Sequence, residues 1–241
     1  MGMKENRPTS AGASAQPGRG DGSVRWLALG LFMVGLPLLM AALRWDDALW
    51  GFRGEPLEGA WLRLAKILSA SANGGVLIPA GVAAATGLAW RRRCHAARWV
   101  LAMVLAGSIA GLSGTLLRSF VGRARPLAHV AQGWHGPRVD GHWVVGKHAY
   151  GAFPSGHTSL AAGFGAFLFL HRRRSGLLGL AYAAAVGWSR VELGAHRPSD
   201  VVAGLMVGSS VALLVGPPIL ARLASGCPDK PVDGGRPAAA T

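Results

Sequence analysis

The chain has 241 residues, 51% of them hydrophobic and 15% charged, with a formal net charge of +14. A water-soluble domain of this length carries about 25% charged residues; here the apolar residues are gathered into blocks, which excludes one large soluble core and points to repeated membrane crossing. The basic excess lies largely in short arginine clusters between those blocks, where it sets membrane orientation and argues against a nucleic-acid partner.

In chain order, residues 1–23 are rich in Gly, Ser, Pro and Ala without apolar periodicity and are expected to be a disordered cytoplasmic tail. A first span from Trp26 to Trp45 has aromatic residues near both ends and Pro37 as a kink; it is too long for a signal-peptide core and reads as an uncleaved anchor. Between 46 and 73, Leu57, Trp61, Leu64, Ile67 and Leu68 recur at helical spacing, which predicts an amphipathic helix lying on the membrane or on the bundle. Further spans are expected at Gly75–Trp90, Trp99–Leu117, Ser155–Leu170, Leu177–Trp188 and Pro198–Ile219. Gly107 with Gly111, and Gly204 with Gly208, have the spacing that lets helices approach closely. The segment from Arg118 to Pro154 is too long for a mere connector and reads as functional. Residues 223–241 read as a second disordered tail.

Arg91-Arg92-Arg93 with Arg98, and Arg172-Arg173-Arg174, should be cytoplasmic by the positive-inside rule. Six spans then put both tails inside and the segments 46–73, 118–154 and 189–198 on one outer face. Cys94 and Cys227 fall on the cytoplasmic side, so no disulfide is expected, and no cysteine spacing suits a metal. Arg118, Arg123, Arg125, Arg138 and Lys147 crowd an outer loop whose acidic residue is Asp140. Topology alone disfavours that excess, and an anionic substrate is its simplest explanation.

Three clusters carry candidate chemistry. Arg118, Arg125 and Arg190 reach the same face from different segments; guanidinium groups bind phosphate oxygens bidentately and stay charged, although Arg118 and Arg190 could merely snorkel from helix ends. Pro154-Ser155-Gly156-His157 reads as a helix start, with Ser155 as N-cap, Gly156 open to a ligand and His157 in the first turn; an ordinary capped helix is the plainer alternative. His196 precedes a helix started by Pro198, with Asp200 in its first turn, where a carboxylate can accept the imidazole N–H and leave the other nitrogen free to attack. Two histidines and a carboxylate also suit a metal, against which stand the neighbouring arginines. Ser155 has no hydrolase-type elbow around it. His129, His135, His142 and His148 lack ligand spacing and read as solvent-facing or headgroup-contacting, and Trp134 and Trp143 as lipid-contacting.

These residues resemble the signature of the type 2 phosphatidic acid phosphatase family: Lys-x6-Arg-Pro, Pro-Ser-Gly-His, and Ser-Arg-x5-His-x3-Asp. The chain has Arg118 through Arg125-Pro126, then Pro154 to His157, then Ser189-Arg190 with His196 and Asp200 at the same spacings. Arg118 departs from the family's lysine, keeping charge but not shape. The resemblance implies a metal-independent phosphatase without cofactor. In it His196 attacks phosphorus to form a phosphohistidine and Asp200 orients it. His157 protonates the leaving oxygen and then activates water. Arg118, Arg125, Ser155, Gly156 and Arg190 hold the phosphoryl oxygens.

The expectation is therefore an all-α, six-helix transmembrane bundle over residues 24–222 with an outer-face phosphate site. It would be a multi-pass protein of the cell (inner) membrane, its site facing the periplasm or exterior. Its partners would be the membrane and a lipid phosphate or diphosphate, of polyprenyl or phosphatidate type. Alternatives are a phosphatase for soluble esters and a non-catalytic lipid-phosphate binder or transporter. A haloperoxidase sharing these motifs would be soluble.

Overall fold

The computed structural model describes residues 20–51 and 55–224. Among them are seven α-helices: α1 (Gly20–Gly51), α2 (Gly59–Ser71), α3 (Gly74–Trp90), α4 (Cys94–Val121), α5 (Gly156–His171), α6 (Arg173–Glu192) and α7 (Pro198–Ala224). All six predicted spans fall on helices, and the predicted amphipathic segment becomes α2. Helix α1 starts inside the expected tail, at Gly20, and continues through Pro37; α7 extends to Ala224. The rest of both tails, with Cys227, lies outside the described residues.

Three helical stretches are long and apolar enough to cross a membrane: Leu29–Gly51, Cys94–Val121 and Pro198–Leu223. Helices α2 and α3 pass that test only together, as a span bent by 61° between Ser71 and Gly74, which makes four at most by length and composition. At 16 residues α5 is short, and α6 carries Arg173, Arg174, Arg190 and Glu192 near its ends. The composition of α5 has a packing cause. It is enclosed by α4, α6 and α7, so its small residues answer to neighbouring helices rather than to lipid.

Both predicted glycine pairs face this central helix. A Cβ on Gly107 would lie 2.2 Å from the Phe164 ring, and one on Gly111 would lie 3.0 Å from the Leu160 side chain. On α7, a Cβ on Gly204 would come within 2.8 Å of the Ser155 carbonyl oxygen, and one on Gly208 within 2.2 Å of that of Ser159. On α5 itself, Gly165 meets the backbone of Gly179 on α6. Around this core α1 packs on α7, α2 on α6, and α3 on α4. Large apolar side chains such as Phe32, Met33, Val34 and Met40 are left on the outside of α1, as a bilayer-facing helix requires.

Helix α2 settles one alternative left by the sequence. Its buried residues are Ala65 and Ser69, whereas Trp61 and Ile67 are 63% and 64% exposed. The small face meets the bundle, and Trp61, Leu64 and Ile67 of the predicted apolar stripe point away from it, while Leu57 and Leu68 are half-buried. Trp61 nevertheless edges onto Trp188 of α6, with ring centroids 6.4 Å apart.

The long segment after α4 is ordered. Gly122 ends the helix with φ of +64°, and its N–H donates to the Arg118 carbonyl. A two-residue hairpin pairs Arg138–Val139 with His142–Trp143, and a 3-10 turn covers His148–Tyr150. Backbone bonds tie the segment into a compact cap, among them Ala124 N–H to Gly133 O at 3.0 Å and Ala152 N–H to Arg123 O at 3.1 Å.

Candidate active site

The last turn of α4, the start of α5, the end of α6 and the start of α7 converge beneath that cap. His196 stands in the short turn between α6 and α7, with its side chain fully buried. Its Nδ1 lies 2.7 Å from the carbonyl oxygen of Ala152. A carbonyl only accepts, so Nδ1 carries the proton and Nε2 is the bare nitrogen. That Nε2 is buried and has no hydrogen-bond partner.

The expected carboxylate partner is close but not bonded in that way. Asp200 Oδ2 is 3.6 Å from His196 Nδ1, beyond good hydrogen-bond geometry. Instead Oδ2 accepts the Arg197 backbone N–H at 2.7 Å, and Oδ1 accepts Arg123 Nη1 at 2.6 Å. The main-chain carbonyl of Ala152, 44 residues away in the chain, takes that place, which the spacing of His196 and Asp200 does not reveal. Asp200 acts on His196 through its charge at close range rather than as the acceptor that fixes the tautomer.

The three expected cations are brought together. Arg125 is buried; its Nε donates to the His148 carbonyl at 2.8 Å and its Nη2 to the Gly151 carbonyl at 3.3 Å, leaving Nη1 buried without a partner. Arg190 Nη1 donates to Ser69 Oγ of α2 at 2.6 Å, while its Nε is buried and unpartnered. Arg118 lies over the start of α5: a Cβ on Gly156 would sit 3.3 Å from Arg118 Nη1. Burial, and then the nearby Arg190 and Arg118 charges, lower the Arg125 pKa to about 10, with Asp200 opposing. Burial likewise holds His196 below the usual imidazole range; Asp200 opposes this, while Arg125 and Arg190 add to it. A cluster of cations with unused donors around a neutral imidazole is arranged for an anion.

Ser155 occupies the N-cap position of α5, but its side chain makes no cap bond. Its hydroxyl is fully buried and accepts from Thr158 Oγ1 at 3.0 Å, and its N–H donates to the Asp200 carbonyl at 2.9 Å. Its geometry thus ties α5 to α7. His157, in the first turn of α5, lines a cavity of about 380 Å³ with Arg118, Thr115 and Gly156. The same cavity runs down between α3, α4 and α5 past Ile78, Leu112 and Leu160, and the break between α2 and α3 forms part of its wall. A second cavity, about 180 Å³, joins Arg118 and Arg125 to Lys147 and His148; a third, about 280 Å³, joins Arg125 and Arg190 to His148. His148, expected to face solvent or a headgroup, is exposed and borders the site. Arg125, more than burial, lowers its pKa.

Several site residues escaped the sequence reading. Arg123, expected with the other loop cations to answer to an anionic substrate, instead pairs with carboxylates of the protein. It is buried, and its Nη2 meets Asp46 Oδ2 of α1 at 2.6 Å while its Nη1 reaches Ser199 Oγ and Asp200 Oδ1, both at 2.6 Å. Asp46 also accepts the Ser199 N–H at 2.9 Å and a short bond from the Ser199 hydroxyl. The nearest available signal was an acidic pair, Asp46-Asp47, at the end of an apolar run, where a charge is costly unless used. Nothing local pointed to Ser69. Among the described residues, no three His, Cys, Asp or Glu side chains are grouped to hold a metal ion.

An all-helical bundle with membrane-crossing helices and an anion site at its helix ends is the architecture of one class of membrane protein. The PAP2 superfamily pattern matches residues 95–217, and the chain belongs to that superfamily. It is 40% identical over 106 residues to a lipid A 1-phosphatase of Rhizobium johnstonii, covering 44% of this chain and 41% of that one. It is 34% identical over 116 residues to the bacitracin transport permease protein BcrC of Bacillus licheniformis, covering 48% and 53%. The chain thus spans about half, or less, of the curated relatives it matches. The crystal structure of a transmembrane PAP2-type phosphatidylglycerolphosphate phosphatase from Bacillus subtilis shares the fold, with a TM-score of 0.57 at 22% identity over 78% of this chain and 93% of that one.

Proposed function

We propose that the chain is a membrane phosphatase that hydrolyses a lipid phosphate or diphosphate through a phosphohistidine. The observation that carries this reading is the bare, buried Nε2 of His196, its tautomer set by Ala152, beside unpartnered donors on Arg125 and Arg190. Nε2 attacks phosphorus, the P–N bond forms, and the bond to the leaving oxygen breaks. His157 gives that oxygen a proton, then takes one from the water that attacks the phosphohistidine, and inorganic phosphate leaves. Arg118, Arg125 and Arg190, with the Gly156 end of α5, stabilise the charge on the equatorial oxygens. Asp200 stabilises the imidazolium that forms. Ser155 serves by holding α5 against α7.

The groove below His157 supports a lipid substrate, since it is cationic at the mouth and apolar along Ile78, Leu112 and Leu160. We further propose six crossings, with α2 as the outer limb of the bent pair. The arginines at 91–93 and 172–174 would lie on the cytoplasmic side of the cell membrane and the site on the periplasmic or exterior face.

Purified protein in detergent micelles should release phosphate from one member of a panel. The panel holds a polyprenyl diphosphate, phosphatidate, phosphatidylglycerol phosphate, a lipid A phosphate and glucose phosphate. EDTA should have no effect, and His196→Ala should abolish turnover while eluting like the parent on size exclusion. Release from glucose phosphate alone would favour the soluble-ester reading. No release from any, by folded protein, would favour a binder or transporter, the role named for the Bacillus licheniformis relative.

A further inference from the structure

We infer that Asp46 and Arg123 are positioning residues for the His196–Asp200 pair, so that α1 completes the reaction centre. The inference rests on the proposed role of His196 as nucleophile.

Arg123 touches the pair by two routes. Its guanidinium spans Asp200 Oδ1 and Asp46 Oδ2, both at 2.6 Å. Its backbone carbonyl accepts the Ala152 N–H at 3.1 Å, and the Ala152 carbonyl is the acceptor that sets the His196 tautomer. One residue thus fixes both neighbours of Nδ1. Asp46 holds Arg123 from the far side and, through two bonds to Ser199, also fixes the first turn of α7 just before Asp200. All of these side chains are buried. Burial makes the charge balance consequential: Asp46 and Asp200 with Arg123 sum to one negative charge, opposite in sign to the imidazolium formed when Nε2 bonds to phosphorus. A guanidinium is required because a lysine ammonium does not match the two carboxylates as a planar fork.

The other charged groups acting on His196 are Arg125 from the cap and Arg190 from α6, with His157 of α5 also within range. None of them changes in the following test. Wild type, His196→Ala, Asp46→Asn, Arg123→Gln, Arg123→Lys and the exposed neighbour Asp47→Asn are assayed across pH on the lipid that wild type hydrolyses. Asp46→Asn, Arg123→Gln and Arg123→Lys should lower kcat about tenfold or more, the scale seen when a group that orients a functional histidine is lost, with KM nearly unchanged. The acid limb of kcat/KM should move to lower pH in Asp46→Asn, where a negative charge is lost, and to higher pH in Arg123→Gln, where a positive one is lost. It should stay in place in Arg123→Lys, and Asp47→Asn should match wild type. A merely structural role lowers activity without these opposite displacements. Should Arg123→Gln fail to fold, Asp46→Asn against Arg123→Lys still gives the contrast. Wild-type kcat in Asp46→Asn, or an acid limb that does not move there, overturns the proposal while leaving His196 in its role. Turnover by His196→Ala would overturn the underlying mechanism instead.

Discussion

At the scale of single residues, His196 is prepared by two separate features: a carbonyl that takes its proton-bearing nitrogen, and burial that keeps the ring neutral. Because its pKa lies below the ordinary value near 6.5, the imidazole stays neutral into mildly acidic solution, as the proposed nucleophile must. The acid limb of kcat/KM should therefore fall below about pH 6.5, as a pH-rate profile would show. The same shift acts on stability. The unfolded chain takes up this proton near pH 6.5 and the folded protein only at lower pH, so the contribution is present above about 6.5 and is lost as pH falls below it. Arg118→Lys keeps the charge over Gly156 and should hold activity within about tenfold, 1.4 kcal/mol or less. A complete loss in a phosphate-release assay would show that the bidentate fork is needed there. The meeting of Arg118, Arg125, His157, Arg190, His196 and Asp200 was legible because Arg118, His157, Arg190 and Asp200 lie in the end turns of helices and Arg125 and His196 in the segments beside them, places marked by their neighbours in sequence. The Ala152 carbonyl, Arg123 and Asp46 were not, since their roles exist only after distant segments meet.

At the scale of elements, the site depends on how closely α4 and α7 approach α5. A Cβ at position 208 would lie 2.2 Å from the Ser159 carbonyl oxygen, and backbone cannot swing away as a side chain can. Gly208→Ala should therefore cost about 1–3 kcal/mol by overpacking and, because α7 carries Asp200, reduce turnover as well. Gly87 on α3 has nothing within 4 Å of its would-be Cβ, so Gly87→Ala should leave turnover intact and add up to about 1 kcal/mol of helix propensity. Thermal unfolding of the two variants in the same detergent checks the contrast. The glycine spacing was visible in the sequence; which helix it met was not. Helix α2 was likewise visible as amphipathic, but its direction was hidden, because Ala65 and Ser69 carry no weight in an apolar count.

At the scale of the whole molecule, the proposed orientation puts the Arg138–Trp143 hairpin and the Arg91–Arg93 turn on opposite sides of the bilayer. In a chain lacking Cys94 and Cys227, a cysteine at the exposed His142 should react with a membrane-impermeant maleimide in intact cells. One at Arg91 should react only after permeabilisation; the reverse pattern would place the site in the cytoplasm. The number of crossings resists reading from hydropathy because α5 is short and enclosed by protein, while α6 carries Arg173, Arg174, Arg190 and Glu192 near its ends. The bond between Asp46 and the Ser199 N–H joins residues 153 positions apart, α1 to α7. Translation delivers α1 well before α7, so the charge network round His196 closes only once α7 is in place. A chain halted before α7 holds Arg118, Arg125 and Pro154–His157 but neither Ser199 nor Asp200, so Asp46 and Arg123 are left without their partners on that helix.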